Sequence, residues 1–135
     1  MKKLFILIAL CLASYGVFSQ TYYFKNLIIK EAVHKQDLTR DSAYIVVKGF
    51  EVISQNGGSS VILNVRTDIY KNKATWLAQP SWKLALNEFG DEFSFVVAQN
   101  FASGNINDKV VDALKAYIIS THPTWNPANI KIDTP

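Results

Sequence analysis

Hydrophobic and polar positions alternate most regularly between Val61 and Tyr70. Val61, Leu63, Val65, Thr67 and Ile69 fall on one side, and Ile62, Asn64, Arg66, Asp68 and Tyr70 on the other. A period of two is that of a strand buried on one face. Ala43 to Ser54 reads as a second strand whose parity changes at Gly49: Ile45 and Val47 precede the switch, Phe50 and Val52 follow it. One extra residue at that point, a β-bulge, would reverse every later side chain. Asn56-Gly57 between these strands is a hairpin signal. Thr21 to Lys35 predicts another strand, with charges suited to a sheet edge, and residues 36–42 a polar turn.

Beyond Tyr70 the β pattern lapses. Residues 71–79 predict a single helical turn, which Pro80 ends because it lacks an N–H and disfavours a helical predecessor. Ser81 to Asn87 alternates again and predicts a strand with Trp82, Leu84 and Leu86 facing the core. An acidic turn at 88–92 leads to a strand at Phe93 to Gln99. Residues 100–107 connect to a helix from Asp108 to Thr121, with Val110, Val111, Leu114, Tyr117 and Ile118 at helical spacing. Asn107 is its expected cap and Ile106 a staple on Val111. His122-Pro123 ends it, the His122 ring meeting free carbonyls, and Ile130 to Ile132 predicts a short strand. The expected fold is α+β: a small antiparallel sheet of about four to six strands with one amphipathic C-terminal helix packed on one face.

The first residues change the picture of where this fold works. Lys2 and Lys3 precede an apolar run from Leu4 to Ala13, and Val17 and Ser19 are small enough for a signal peptidase. The run is shorter than the ~20 residues a membrane span needs. Residues 1–19 are therefore expected to be a cleaved export leader, leaving residues 20–135 as one small domain in the periplasm or outside the cell, with no stable transmembrane segment. Cys11 follows Leu10, which is too large for a lipoprotein site, and it would leave with the leader. The remainder then has no thiol, which suits a disulfide-free exported bacterial protein.

Charge follows the same division. The chain has 14 basic and 11 acidic side chains, net +3. Without Lys2 and Lys3 the balance is 12 against 11, and no bulk charge calls for nucleic acid. His34 and His122 lie far apart in sequence, and Glu88, Asp91 and Glu92 lack the ligand spacing of a calcium loop. No serine sits in a nucleophile elbow, and Gly57-Gly58-Ser59-Ser60 lacks the ending of a phosphate loop. Neither a metal nor a cofactor is expected, and no enzyme.

Aromatic and basic residues remain. Tyr70, Lys71, Lys73, Trp76 and Lys83 form the candidate interaction surface, because an indole and nearby cations suit sugars or other ligands. Arg66 and Asp68 are expected to be a solvated pair. The run DIYKNKATWLAQPSWKLAL, followed by a Phe-rich strand and a helix, resembles in its order of elements the small structural proteins of tailed phages, over residues 61 to 120. That resemblance implies a virion component, whereas an export leader argues against one. The expected function is an exported, non-enzymatic bacterial domain that binds or assembles with a protein partner, or with itself, through sheet edges. The alternatives are the virion component and a small-ligand or glycan-binding domain.

Overall fold

The computed structural model describes residues 24–54, 59–98 and 105–134. The leader, the Asn56-Gly57 signal and most of the 100–107 connection lie outside them. Among the described residues there are seven strands: β1 (Asn26–Ile29), β2 (Val33–Lys35), β3 (Leu38–Arg40), β4 (Ala43–Ser54), β5 (Ser60–Tyr70), β6 (Glu92–Ala98) and β7 (Ile130–Asp133). A short helix, α1 (Lys73–Ala78), follows β5, and a long one, α2 (Ile106–Thr121), follows β6. The fold is α+β. Five strands form an antiparallel sheet in the order β6-β5-β4-β1-β7, and β2 and β3 form a separate hairpin.

The longest pairing is β4 with β5, from Tyr44 opposite Tyr70 to Ser54 opposite Val61. Its register shifts between Val47 and Gly49, so Lys48 is the extra residue. The parity switch in the sequence is therefore a bulge. It lets Ile45 and Val47 before it, and Phe50 and Val52 after it, all address the same face.

That inner face carries the core. Leu27, Ile29, Ile45, Leu63, Val65, Phe93, Phe95 and Ile130 share one buried cluster with Val110, Val111, Leu114 and Ile118 of α2. Burying each such side chain is worth roughly 1.5–3 kcal/mol relative to leaving it exposed. Asn105, not Asn107, caps α2: its side chain accepts from the Asn107 N–H at 3.2 Å. The helix therefore starts two residues before the expected position, and Ile106 packs against the core from its first turn. His122 ends the helix with its Nδ1 3.0 Å from the Ile118 carbonyl, and its ring stacks on Trp125 at 4.1 Å.

The outer face is not simply wet. Tyr44, Val46 and Tyr70 form a second buried cluster there, with Ile28 and Trp76 packed against it. Helix α1 covers this patch. The sheet is thus covered by α2 on one side and, over part of its area, by α1 on the other.

Three expected elements differ. Thr21 to Lys35 is not one strand: among the described residues it divides into β1 and β2. The polar turn at 36–42 contains β3, because Gln36 takes a positive φ of 55° and closes a hairpin through Gln36-Asp37. Ser81 to Asn87 is not a strand. Strand β6 pairs with β5 only from Ser60 to Arg66. The last residues of β5 are met instead by an irregular segment: the Leu84 N–H donates to the Ile69 carbonyl at 2.7 Å, and the Thr67 N–H to the Asp91 carbonyl at 2.7 Å. Leu86 and Phe89 of this segment are buried, while Trp82 is 62% exposed.

Candidate functional site

The site forms where β5 gives way to α1 and the irregular segment returns to the sheet. Asn72 sets the start of α1: its Oδ1 accepts from the Thr75 N–H at 2.8 Å and from the Thr75 hydroxyl at 3.0 Å. The helix lasts six residues, and the Gln79 N–H closes it on the Thr75 carbonyl at 2.8 Å. The Tyr70 hydroxyl then donates to the Pro80 carbonyl at 2.8 Å, tethering the chain as it turns. The Trp82 N–H donates to the Gln79 carbonyl at 2.9 Å. This tight turn holds Trp82 away from the sheet, and the chain rejoins the sheet only at Leu84.

These constraints separate the residues of the candidate surface. Trp76 does not face solvent freely; it is half-buried against Tyr44, ring centroids 5.6 Å apart. Tyr70 is buried, and burial holds its hydroxyl above the usual tyrosine range. Lys73 is taken up in a structural network. Its Nζ lies 2.8 Å from Asp133 Oδ2, which also accepts from the Tyr44 hydroxyl at 2.7 Å. Tyr44 in turn accepts from Asn26 Nδ2 at 3.0 Å, and Asn26 Oδ1 accepts from the Val47 N–H at 3.3 Å. The hydrogen bond from Lys73 outweighs partial burial and holds the Asp133 carboxyl below the usual carboxylate range. The chain joins α1, β1, β4 and β7.

Lys71 and Lys83 do meet, with Trp82. Together with Lys35, Arg40, Thr75, Gln79 and Leu84 they line a depression of about 480 Å³, within the usual size range of small-ligand pockets. Four cations thus surround one exposed indole. Lys83 Nζ also lies 2.8 Å from Asp68 Oδ1, and that hydrogen bond raises its pKa. Lys48 approaches the same carboxylate at 3.9 Å. The expected Arg66–Asp68 pair is replaced: Asp68 is held by Lys83 and Lys48, because the bulge and the returning segment bring those chains to it. Arg40 presents a guanidinium whose Nε is buried without a hydrogen-bond partner.

Lys35 and Arg40 reach the depression because the β2–β3 hairpin is clamped against the 84–91 segment. Both Glu88 oxygens accept from the His34 N–H, at 2.9 and 3.0 Å, and Glu88 Oε1 also pairs with His34 Nδ1. Asn87 exchanges two 3.1 Å hydrogen bonds with the Gln36 backbone, and its own N–H donates to the His34 carbonyl at 2.8 Å. Partial burial would raise the Glu88 pKa, but the His34 hydrogen bonds outweigh it and hold the carboxyl below its ordinary value. Glu88 is a clamp and not a solvated turn residue.

Sequence reasoning missed Trp82, Lys35, Arg40 and Gln79. The hairpin residues carried a signal, since Gln36-Asp37 is flanked by short β-prone stretches. Trp82 carried none, because its parity with Leu84 and Leu86 pointed to the core. Among the described residues no three histidine, cysteine or acidic side chains stand together as a metal site, and no helix is long and apolar enough to cross a membrane. Comparison with protein-family models, curated proteins and solved structures finds no match to this chain.

Proposed function

We propose that this protein is an exported, non-enzymatic binding domain that recognises an acidic ligand at the Trp82 depression. The observation that carries this reading is the gathering of Lys35, Arg40, Lys71 and Lys83 around an indole that is 62% exposed. Exposing a tryptophan forgoes burial worth up to about 3 kcal/mol for a large apolar side chain. Binding a flat apolar face against that ring recovers such burial, while the cations neutralise carboxylate, sulfate or phosphate groups. Binding is favoured over catalysis by the lining itself. It includes no carboxylate or histidine to move a proton, and the Thr75 hydroxyl is engaged by Asn72. Export rests on the order of charge, apolar run and small residues in residues 1–19.

Titration with acidic saccharides, acidic peptides and their neutral counterparts, followed by tryptophan fluorescence, tests the reading. An acidic member of the panel should change the emission, the effect should weaken with salt, and Trp82→Ala should abolish it. A panel in which no acidic compound shifts the emission counts against the reading.

A further inference from the structure

We propose that two copies of this chain pair through β6, antiparallel, with Val96 of each copy opposite Val96 of the other. This goes beyond the ligand reading and uses a different part of the molecule. In the sheet order β6 is an edge: one side pairs with β5, and among the described residues no strand pairs with the other. Protected edges carry lysine, proline or an inward charge. From Phe93 to Ala98 β6 has none of these, Ser94 being its one polar residue. The opposite edge, β7, is only four residues long and includes Lys131 and Asp133.

The side chains beside this edge are apolar on both faces. Val96 is 61% exposed on the outer face, beyond the cover of α1. It lies opposite Ile62, which lies opposite Ile53, itself 41% exposed. These three form a row running to the edge. A two-fold axis through Val96 continues that row into the second copy as Ile53, Ile62, Val96, Val96, Ile62, Ile53. The same axis sets Phe95 opposite Val97 and Ser94 opposite Ala98. Phe95 and Val97 both belong to the core side of the sheet, so apolar meets apolar there as well. An axis through Phe95 would instead place Ser94 against Val96 and interrupt the row. The occupant that continues both faces is therefore a second copy in this register, an isologous contact of the kind that closes as a dimer.

Sedimentation of the full mature protein over a range of concentrations tests this. A concentration-dependent dimer is expected, and Val96→Lys should return it to monomer with unchanged circular dichroism, because the side chain is exposed in the single copy. In a Cys11→Ser background, oxidised Val96→Cys should give a covalent dimer. Ser94→Cys should not, because the two sulfurs would be separated by about 13 Å of strand rise, beyond disulfide reach. A wild-type protein that stays monomeric at the highest concentration overturns the proposal. So does a dimer that survives Val96→Lys, or one that cross-links equally well through Ser94→Cys. None of these outcomes depends on Trp82 or its ligand.

Discussion

The three tryptophans of this chain meet three different environments, and their substitutions should separate accordingly. Trp125 stacks on His122 and lies edge-on to Phe89, 6.4 Å away. Trp76 covers Tyr44 and lends area to the outer cluster. Trp82 stands in solvent beside the cations. Trp76→Ala should cost about 2 kcal/mol in urea unfolding, below the roughly 3–5 kcal/mol of a fully buried tryptophan because the ring is half-buried. Trp82→Ala should stay within about 0.5 kcal/mol of the parent, as exposed substitutions do, while removing the ligand response. Tyr44→Phe removes the hydroxyl between Asn26 and Asp133. It should cost about 1–2 kcal/mol, since both partners lose a hydrogen bond in a buried setting. Burial, reinforced by the bond to Asp133, holds the Tyr44 hydroxyl protonated well above the usual tyrosine range. A raised pKa of this kind gives stability that is present in full below the unfolded value and lost as pH rises toward the folded one. Tyrosinate absorbance should therefore show a class that ionises only with alkaline unfolding, and Tyr44→Phe should shrink it.

At the scale of elements, the β2–β3 hairpin is held by few apolar contacts. Only Val33 of its six strand residues is buried in the core cluster. Its position depends on Asn87 and Glu88 instead. Because the Glu88 carboxyl titrates below its ordinary value when folded, its contribution is complete above the unfolded carboxylate pKa. It is lost as pH falls through the folded one. Hydrogen exchange at the His34 and Gln36 amides should accelerate as pH drops through the carboxylate range, after correction for intrinsic rates, while amides of β4 and β5 stay protected. Glu88→Gln should show the loosened hairpin already at neutral pH. Uniform exchange across both sets would contradict the clamp. Since the hairpin supplies Lys35 and Arg40, the same acidification should weaken ligand binding at the depression.

At the scale of the molecule, two regions divide the surface between them. The basic depression is lined by the β2–β3 hairpin, α1 and the segments on either side of α1, and by no residue of β6, so ligand binding and pairing place no demand on the same residues. If residues 1–19 are removed on export, the isolated native protein should have the mass of a chain beginning at Gln20. Intact mass spectrometry checks this, and a retained Met1 would set aside the exported reading without touching the geometry of either surface.

Much was legible in the sequence because it depends on neighbours within a few positions. The β4 and β5 strands, the bulge between Val47 and Gly49, the turn of helix before Pro80 and the amphipathic helix follow from periodicity and local backbone chemistry. The α+β class follows from their order. What only the tertiary structure decided depends on partners dozens of residues apart. Alternation placed Trp82 with Leu84 and Leu86, but alternation orients a side chain only while the backbone stays in a ladder. Here β6 leaves the end of β5 unpaired, a turn fills the gap, and Trp82 points to solvent. In the same way Lys73 looked like a free surface charge until Asp133, at the far end of the chain, proved to hold it. Lys35 and Arg40 entered the site only through the grip of Asn87 and Glu88. The sequence determined which segments fold as strand or helix. Contacts between distant segments determined which cations gather at the depression and which tryptophan stands among them.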